Sequence, residues 1–192
     1  MKAIWQMWDS AIDDLTIKRI NDECMLYNPM EAAVGHATDG KPDNHIRQST
    51  VRWVNPTDVN SAFITHLLWK YVREANRLVF NVDVTDIFDI QYTIYDGAKK
   101  GHYDWHFDTF WGNSTCYDRK LSITVQLSDE NDYEGGDLIF YNHPDEKQRV
   151  TSVRGKGSII VFDSRVHHEV TPVTKGVRYS LVKWYHGDEP LK

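Results

Sequence analysis

From Val82 onward the apolar residues of this chain fall into a period of two. The clearest stretch is Lys120 to Ser128, where Leu121, Ile123, Val125 and Leu127 alternate with Ser122, Thr124, Gln126 and Ser128. Successive strand side chains point to opposite faces, so this pattern specifies a strand with two chemically distinct sides. Further strands are predicted at Ile87–Tyr95, Tyr103–Asp108, Asp137–Tyr141, Ser158–Asp163, Val166–Val170 and Val177–Tyr185. Turn signals separate them: Asp96-Gly97, Glu134-Gly135-Gly136, Gly155-Lys156-Gly157 and Lys175-Gly176. About seven or eight short strands with such punctuation argue for a sandwich or barrel.

Before Val82 the period is helical. Ile12, Leu15, Ile20 and Met25, with Asp13 and Asp14 early, predict a short amphipathic helix within Asp9 to Tyr27. Gly35 to Asn55 reads as irregular. Asn55-Pro56-Thr57-Asp58 is a cap-like cluster, and Phe63, Leu67, Tyr71 and Ala75 then recur every four residues to about Arg77. The expected class is α+β, mainly β, in one domain over residues 1–192: a helical support region, 1–80, and a β core, 81–187. At 192 residues the chain is long enough to bury a core without staples.

Charge and cysteine usage exclude several functions. The formal net charge of −6 argues against a broad nucleic-acid footprint. No stretch approaches the roughly 20 apolar residues of a membrane helix, and the N-terminus turns acidic without a cleavage-site pattern. Cys24 and Cys116 are far apart and form no CxxC pair, so neither a disulfide framework nor a cysteine zinc site is expected. A reducing, cytoplasmic setting is the expectation.

Chemistry concentrates in two strands. In Tyr103-Asp104-Trp105-His106-Phe107-Asp108, His106 and Asp108 share a face and present an imidazole beside a carboxylate. Ser164-Arg165-Val166-His167-His168-Glu169-Val170 offers two histidines. Val166, His168 and Val170 share the apolar, inward face, which makes His168 the better ligand and leaves His167 outward. Two histidines and a carboxylate with open positions suit non-haem Fe(II). Ten residues beyond His168, Arg178 shares a face with Ser180, Val182 and Trp184. If that face is inward, Arg178 is a buried cation that needs a partner, either a protein carboxylate or a carboxylate ligand.

Other features have simpler readings. His102 and His106 form HxxxH without the glutamate or helix of a zinc protease. Gly135-Gly136 reads as a hairpin turn between strands. Arg47, Arg52 and Trp53 are either lid contacts to substrate or, more simply, surface salt bridges and packing. Trp105 and Trp111 either line a substrate cleft or pack the core. His143, Asp145 and Glu146 read as a solvated loop, and Asp129-Glu130-Asn131-Asp132 as a solvated turn.

The ordered pieces resemble the Fe(II)/2-oxoglutarate-dependent dioxygenases, specifically the prolyl 4-hydroxylase-like PKHD-type hydroxylases. One piece is Gln91–Gly97 leading through Gly101-His102-Tyr103 to His106-Phe107-Asp108. Others are Arg119–Ser122 through Asp132–Leu138, and Gly155–Ser158 through Phe162-Asp163-Ser164 to His168–Val173 and Gly176–Val182. Asp163 stands where related sequences often have proline. The resemblance implies a double-stranded β-helix, a jelly-roll or cupin-like barrel, with supporting N-terminal helices. It implies Fe(2+) held by His106, Asp108 and His168, and 2-oxoglutarate bound by Arg178 with Tyr95 or Tyr92. Dioxygen is the co-reactant, and ascorbate is a further candidate. The implied activity couples decarboxylation of 2-oxoglutarate to succinate with hydroxylation of a peptidyl proline in a peptide or protein. A free amino acid or other small molecule is the alternative substrate, and a non-catalytic metal- or ligand-binding module the second alternative.

Overall fold

The computed structural model describes residues 3–34, 42–86, 89–109, 117–143, 146–149 and 154–188. Along the chain these form β1 (Trp5–Trp8), α1 (Asp14–Cys24), β2 (Met30–Glu31), β3 (Arg47–Gln48), β4 (Thr50–Val54) and α2 (Ala62–Ala75). There follow β5 (Ile90–Asp96), β6 (His102–His106), β7 (Tyr117–Gln126), β8 (Tyr133–Gly135) and β9 (Leu138–His143). The last elements are β10 (Glu146–Arg149), β11 (Ile159–Asp163), β12 (His168–Val170) and β13 (Val173–Asp188).

Two antiparallel sheets hold these strands. The larger runs β1-β11-β7-β13-β5-β4-β2, with β8 joined to β13; the smaller runs β10-β9-β12-β6-β3. One apolar core lies between the larger sheet and the two helices and includes Ile20, Leu68, Leu121, Ile123, Val125 and Leu181. A second core, with Tyr95, Phe140, Phe162 and Val170, lies between the sheets. The period of β7 explains its place. Leu121, Ile123 and Val125 pack on the helical side, while Ser122, Thr124 and Gln126 are buried on the inter-sheet side. Polar groups so placed need partners or a ligand.

The N-terminal third is less helical than its sequence suggests. It contributes β1, β3 and β4, although Gly35 to Asn55 reads as irregular. β4 pairs with β5 and β1 with β11. In β4 the buried positions are Val51 and Val54, three apart, so strict alternation is lost. The first helix is also shorter and rotated. Its N-cap is Asp13, whose carboxylate accepts the Thr16 N–H at 2.8 Å. Its buried stripe is Ile17, Ile20 and Cys24, whereas Leu15 is 77% exposed.

The cap-like cluster before α2 forms an Asx turn, with Asn55 Oδ1 accepting from Thr57 N at 2.9 Å. The helix itself begins at Ala62, and past Ala75 it loosens into a π-helical turn, Asn76–Phe80. The Gly135-Gly136 turn differs from its expected role too. β8 pairs with β13, whereas β9 pairs with β12 and β10. The turn therefore carries the chain from one sheet to the other rather than closing a hairpin. Ile87, Trp111, Cys116 and Asp145 lie outside the described residues.

Candidate metal centre

The smaller sheet brings the two histidine strands together. β6 and β12 are antiparallel neighbours, and His168 stands directly opposite His106. Residues opposed in this way share a face. Asp108 lies just past the end of β6, where its backbone N–H donates to the Ser164 carbonyl at 3.0 Å. That bond turns its side chain back toward the histidines. His106 Nε2 is 3.7 Å from Asp108 Oδ1, and His168 Nε2 is 3.6 Å from Asp108 Oδ2. One donor atom from each of the three residues lies within 4.8 Å of the others.

The surroundings fix the chemical state of these donors. His106 Nδ1 donates to the Asp104 carbonyl at 2.7 Å, and His168 Nδ1 to the Val166 carbonyl at 2.8 Å. A carbonyl only accepts, so each ring carries a proton on Nδ1 and turns its Nε2 toward Asp108. Burial, reinforced by the charge of His168, holds the His106 imidazole well below its ordinary pKa, against the pull of Asp108. Burial pushes the Asp108 carboxyl up, but His168, His106, Arg119 and a Ser122 hydrogen bond outweigh it and hold it below the usual range. The Asp108 anion accepts from Ser122 Oγ at 2.6 Å, and Ser122 Oγ pairs with Ser164 Oγ at 2.8 Å. Tyr103 stacks on His106 with centroids 3.5 Å apart.

These groups open into a narrow cavity between the sheets, with a volume of about 30 Å³. Arg178, Ser180, Val182 and Trp184 all line it, so that face of β13 is inward. Arg178 is 3% exposed and its Nε has no hydrogen-bond partner. Among the described residues no carboxylate forms an ion pair with it. Its Cζ lies 5.4 Å from the Tyr95 ring, its direct neighbour across β5 and β13. Tyr95 lines the cavity. Tyr92, the rival tyrosine, does not: three residues away, it faces the opposite side of β5, joins the helical core and donates to Asn21 Oδ1 at 3.0 Å.

Of the other residues singled out in the sequence, Arg47 joins the cavity. It is buried, donates from Nε to Ser49 Oγ at 3.0 Å, and lies over the Tyr103 ring. Arg52 instead donates to the Met25 and Tyr27 carbonyls, and Trp53 is partly exposed beside Trp184. His167 stacks on Phe107 at 4.5 Å, and Trp105 packs on Tyr141 at 4.0 Å, all away from the cavity lining. Sequence reading missed the Ser122–Ser164 support of Asp108. The signal was there: Ser122 sits on the polar face of β7, the face that also carries Thr124 into the cavity.

The donor set fits a ferrous ion. It combines two imidazole nitrogens with a buried carboxylate whose charge has no Lys or Arg ion pair among the described residues. The unpaired Arg178 in the same cavity fits an incoming anion.

Comparison with known proteins agrees with this geometry. The sequence profile of the 2OG-Fe(II) oxygenase superfamily matches residues 90–186. A PKHD-type hydroxylase from Synechococcus sp. (strain CC9311) is 27% identical over 189 residues, covering 93% of this chain and 74% of the relative. One from Gloeothece citriformis (strain PCC 7424) is 35% identical over 82 residues, covering 43% of this chain and 36% of the relative. Among solved structures, a Trichoplax adhaerens prolyl hydroxylase in complex with a hypoxia inducible factor oxygen degradation domain peptide fragment superposes with a TM-score of 0.73. The two are 16% identical, with 94% of this chain and 82% of that one covered. A Pseudomonas putida prolyl-4-hydroxylase gives a TM-score of 0.70 at 19% identity, covering 97% and 93%. At such identities the structures speak for the fold, a double-stranded β-helix. With its profile matched across the strands that carry both histidines, Asp108 and Arg178, this chain belongs to the 2OG-Fe(II) oxygenase superfamily.

Proposed function

We propose that the chain is a prolyl 4-hydroxylase-like enzyme in which His106, Asp108 and His168 hold ferrous iron and Arg178 receives the distal carboxylate of 2-oxoglutarate. The observation that carries this reading is the meeting, in one inter-sheet cavity, of two imidazoles, a carboxylate and a buried guanidinium without a carboxylate partner. When bound, iron, 2-oxoglutarate and dioxygen together supply a coupled oxidation: 2-oxoglutarate becomes succinate and CO2, and a substrate C–H bond becomes C–OH.

The protein's part is binding and orientation. The backbone carbonyls of Asp104 and Val166 hold the imidazoles in the required tautomer, and Ser122 steadies Asp108. Arg178 offers its donors to an anion, with Tyr95 beside it. Leu138, Phe162 and Val170 line the same space with apolar surface. The structural neighbours named as prolyl hydroxylases support a peptidyl proline as substrate. Ascorbate enters the proposal only as an accessory reductant.

The test is mass spectrometry of proline-containing peptides after incubation with the protein, Fe(II), 2-oxoglutarate and oxygen. The reading expects one oxygen atom added to a proline and an equivalent of succinate released. Turnover with free proline or another small molecule, but not with peptides, transfers the activity to the alternative substrate class. Folded protein that binds metal and releases no succinate under any condition is a binding module.

A further inference from the structure

The turn that passes the chain between the sheets bears directly on Arg178. Gly135 and Gly136 both have left-handed backbone, with φ of 74° and 64°. A β-carbon at Gly136 would lie 2.8 Å from Val173 Cγ2, 3.0 Å from Arg178 Cδ and 3.2 Å from Tyr133 Cε2. The backbone of the turn therefore abuts the aliphatic stem of the arginine, and a methyl group would have to displace it. Tyr95 lies near the other end of the side chain, 5.4 Å from Cζ.

The turn is fastened from outside the cavity. Arg154 donates from Nη1 to the Gly135 carbonyl at 2.6 Å and to Asp137 Oδ1 at 2.7 Å, and from Nη2 to the Tyr133 carbonyl at 3.3 Å. Its guanidinium also lies over the Tyr133 ring, 4.5 Å from the centroid. Tyr133 Oη in turn accepts from Gln126 Nε2 at 3.0 Å. One arginine thus ties both flanks of Gly136 without itself lining the cavity.

We propose that Gly136 and Arg154 are positioning residues for Arg178: the clamped turn is a backstop that fixes how deep the guanidinium sits, and so which length of 2-oxo diacid the cavity accepts. The inference rests on Arg178 being the receiver of the co-substrate carboxylate. An arginine stem confined on one side has fewer rotamers to lose on binding. A diacid one carbon shorter or longer then presents its carboxylate at the wrong depth, leaving buried charges imperfectly paired.

The experiment measures binding of 2-oxoglutarate, oxaloacetate and 2-oxoadipate to the full chain with Fe(II) under anaerobic conditions, by calorimetry, with iron affinity measured separately. Wild type is compared with Gly136→Ala and Arg154→Ala. Both variants are expected to weaken 2-oxoglutarate binding by about ten-fold or more and to narrow its advantage over the other two diacids. Iron affinity should stay within about two-fold, because none of the three ligands touches the turn. In turnover, KM for 2-oxoglutarate should rise while kcat at saturation holds, and Arg154→Lys should recover part of the loss. If Gly136→Ala does not fold, Arg154→Ala decides alone. Variants that keep the wild-type affinity and diacid ranking, or that lose iron and diacid together, overturn the inference and leave the site assignment standing. A wild type that binds iron but none of the diacids overturns the reading of Arg178, and the inference with it.

Discussion

Two nitrogen atoms, His106 Nε2 and His168 Nε2, decide what this cavity can hold, and each is aimed inward by a carbonyl that accepts from Nδ1 on the other side of its ring. His168→Ala is expected to abolish turnover and weaken iron binding by at least about 100-fold, whereas His167→Ala, in the outward aromatic stack, should largely retain both. The reverse outcome would exchange the ligand assignment. Ser122→Ala removes the hydroxyl on Asp108 and should lower iron affinity by about 10–100-fold with little change in fold, read by metal titration. The buried histidines also set an acid limit on the metal-free protein. Burial holds His106 well below its ordinary range, and burial with the charge of Arg119 holds His186 down to about 4. Between the unfolded value, about 6.5, and these depressed values, the unfolded chain binds more protons than the folded one. Stability is therefore full above about pH 6.5 and falls as pH drops toward about 4. Thermal melts of the apoprotein across this window should show that slope, and His186→Asn should flatten it.

At the scale of elements, legibility followed periodicity. β7 was readable on both faces because nine residues alternate without a break, and the same parity put Arg178, Ser180, Val182 and Trp184 together in the cavity. Parity could also have separated the two tyrosines of β5. Tyr95 faces Arg178 across the ladder, and Tyr92, an odd number of residues away, cannot share its side. What escaped had no sustained period. β1 has four residues, and β4 buries Val51 and Val54 out of alternation, so their pairing with β11 and β5 is set by tertiary contact. In α1 the apolar residues do not form one stripe. Leu15 and Met25 fit a helical face on paper, yet the packing of α1 buries Ile17, Ile20 and Cys24 and leaves those two exposed. The helices test this directly. Leu68→Ala, at a fully buried position of α2, should cost about 2–5 kcal/mol in denaturant unfolding. Leu15→Ala should stay within about 0.5 kcal/mol, and a comparable loss there would restore the original stripe.

At the scale of the whole molecule, the candidate centre lies between the two sheets. β6 and β12 of the smaller sheet supply the histidines, and β13 of the larger one supplies Arg178. On the proposed assignment, metal and co-substrate bound there would tie the sheets together and stabilise only the folded state. Saturation at about 100 times the dissociation constant adds about 2.7 kcal/mol, so Tm should rise with Fe(II) and 2-oxoglutarate and fall back on chelation. The support region takes part in the same design, because β3 delivers Arg47 to the cavity. Among the described residues no helix is long and apolar enough to cross a membrane. The central claim, that His106, Asp108 and His168 gather one ferrous ion beside Arg178, is tested most directly by anaerobic titration of the protein with Fe(II) and 2-oxoglutarate, following visible absorption. The account predicts a charge-transfer band that saturates at one iron per chain and is lost in His168→Ala. A folded wild-type protein that gives no band, or a His168→Ala variant that gives the same band, would contradict it.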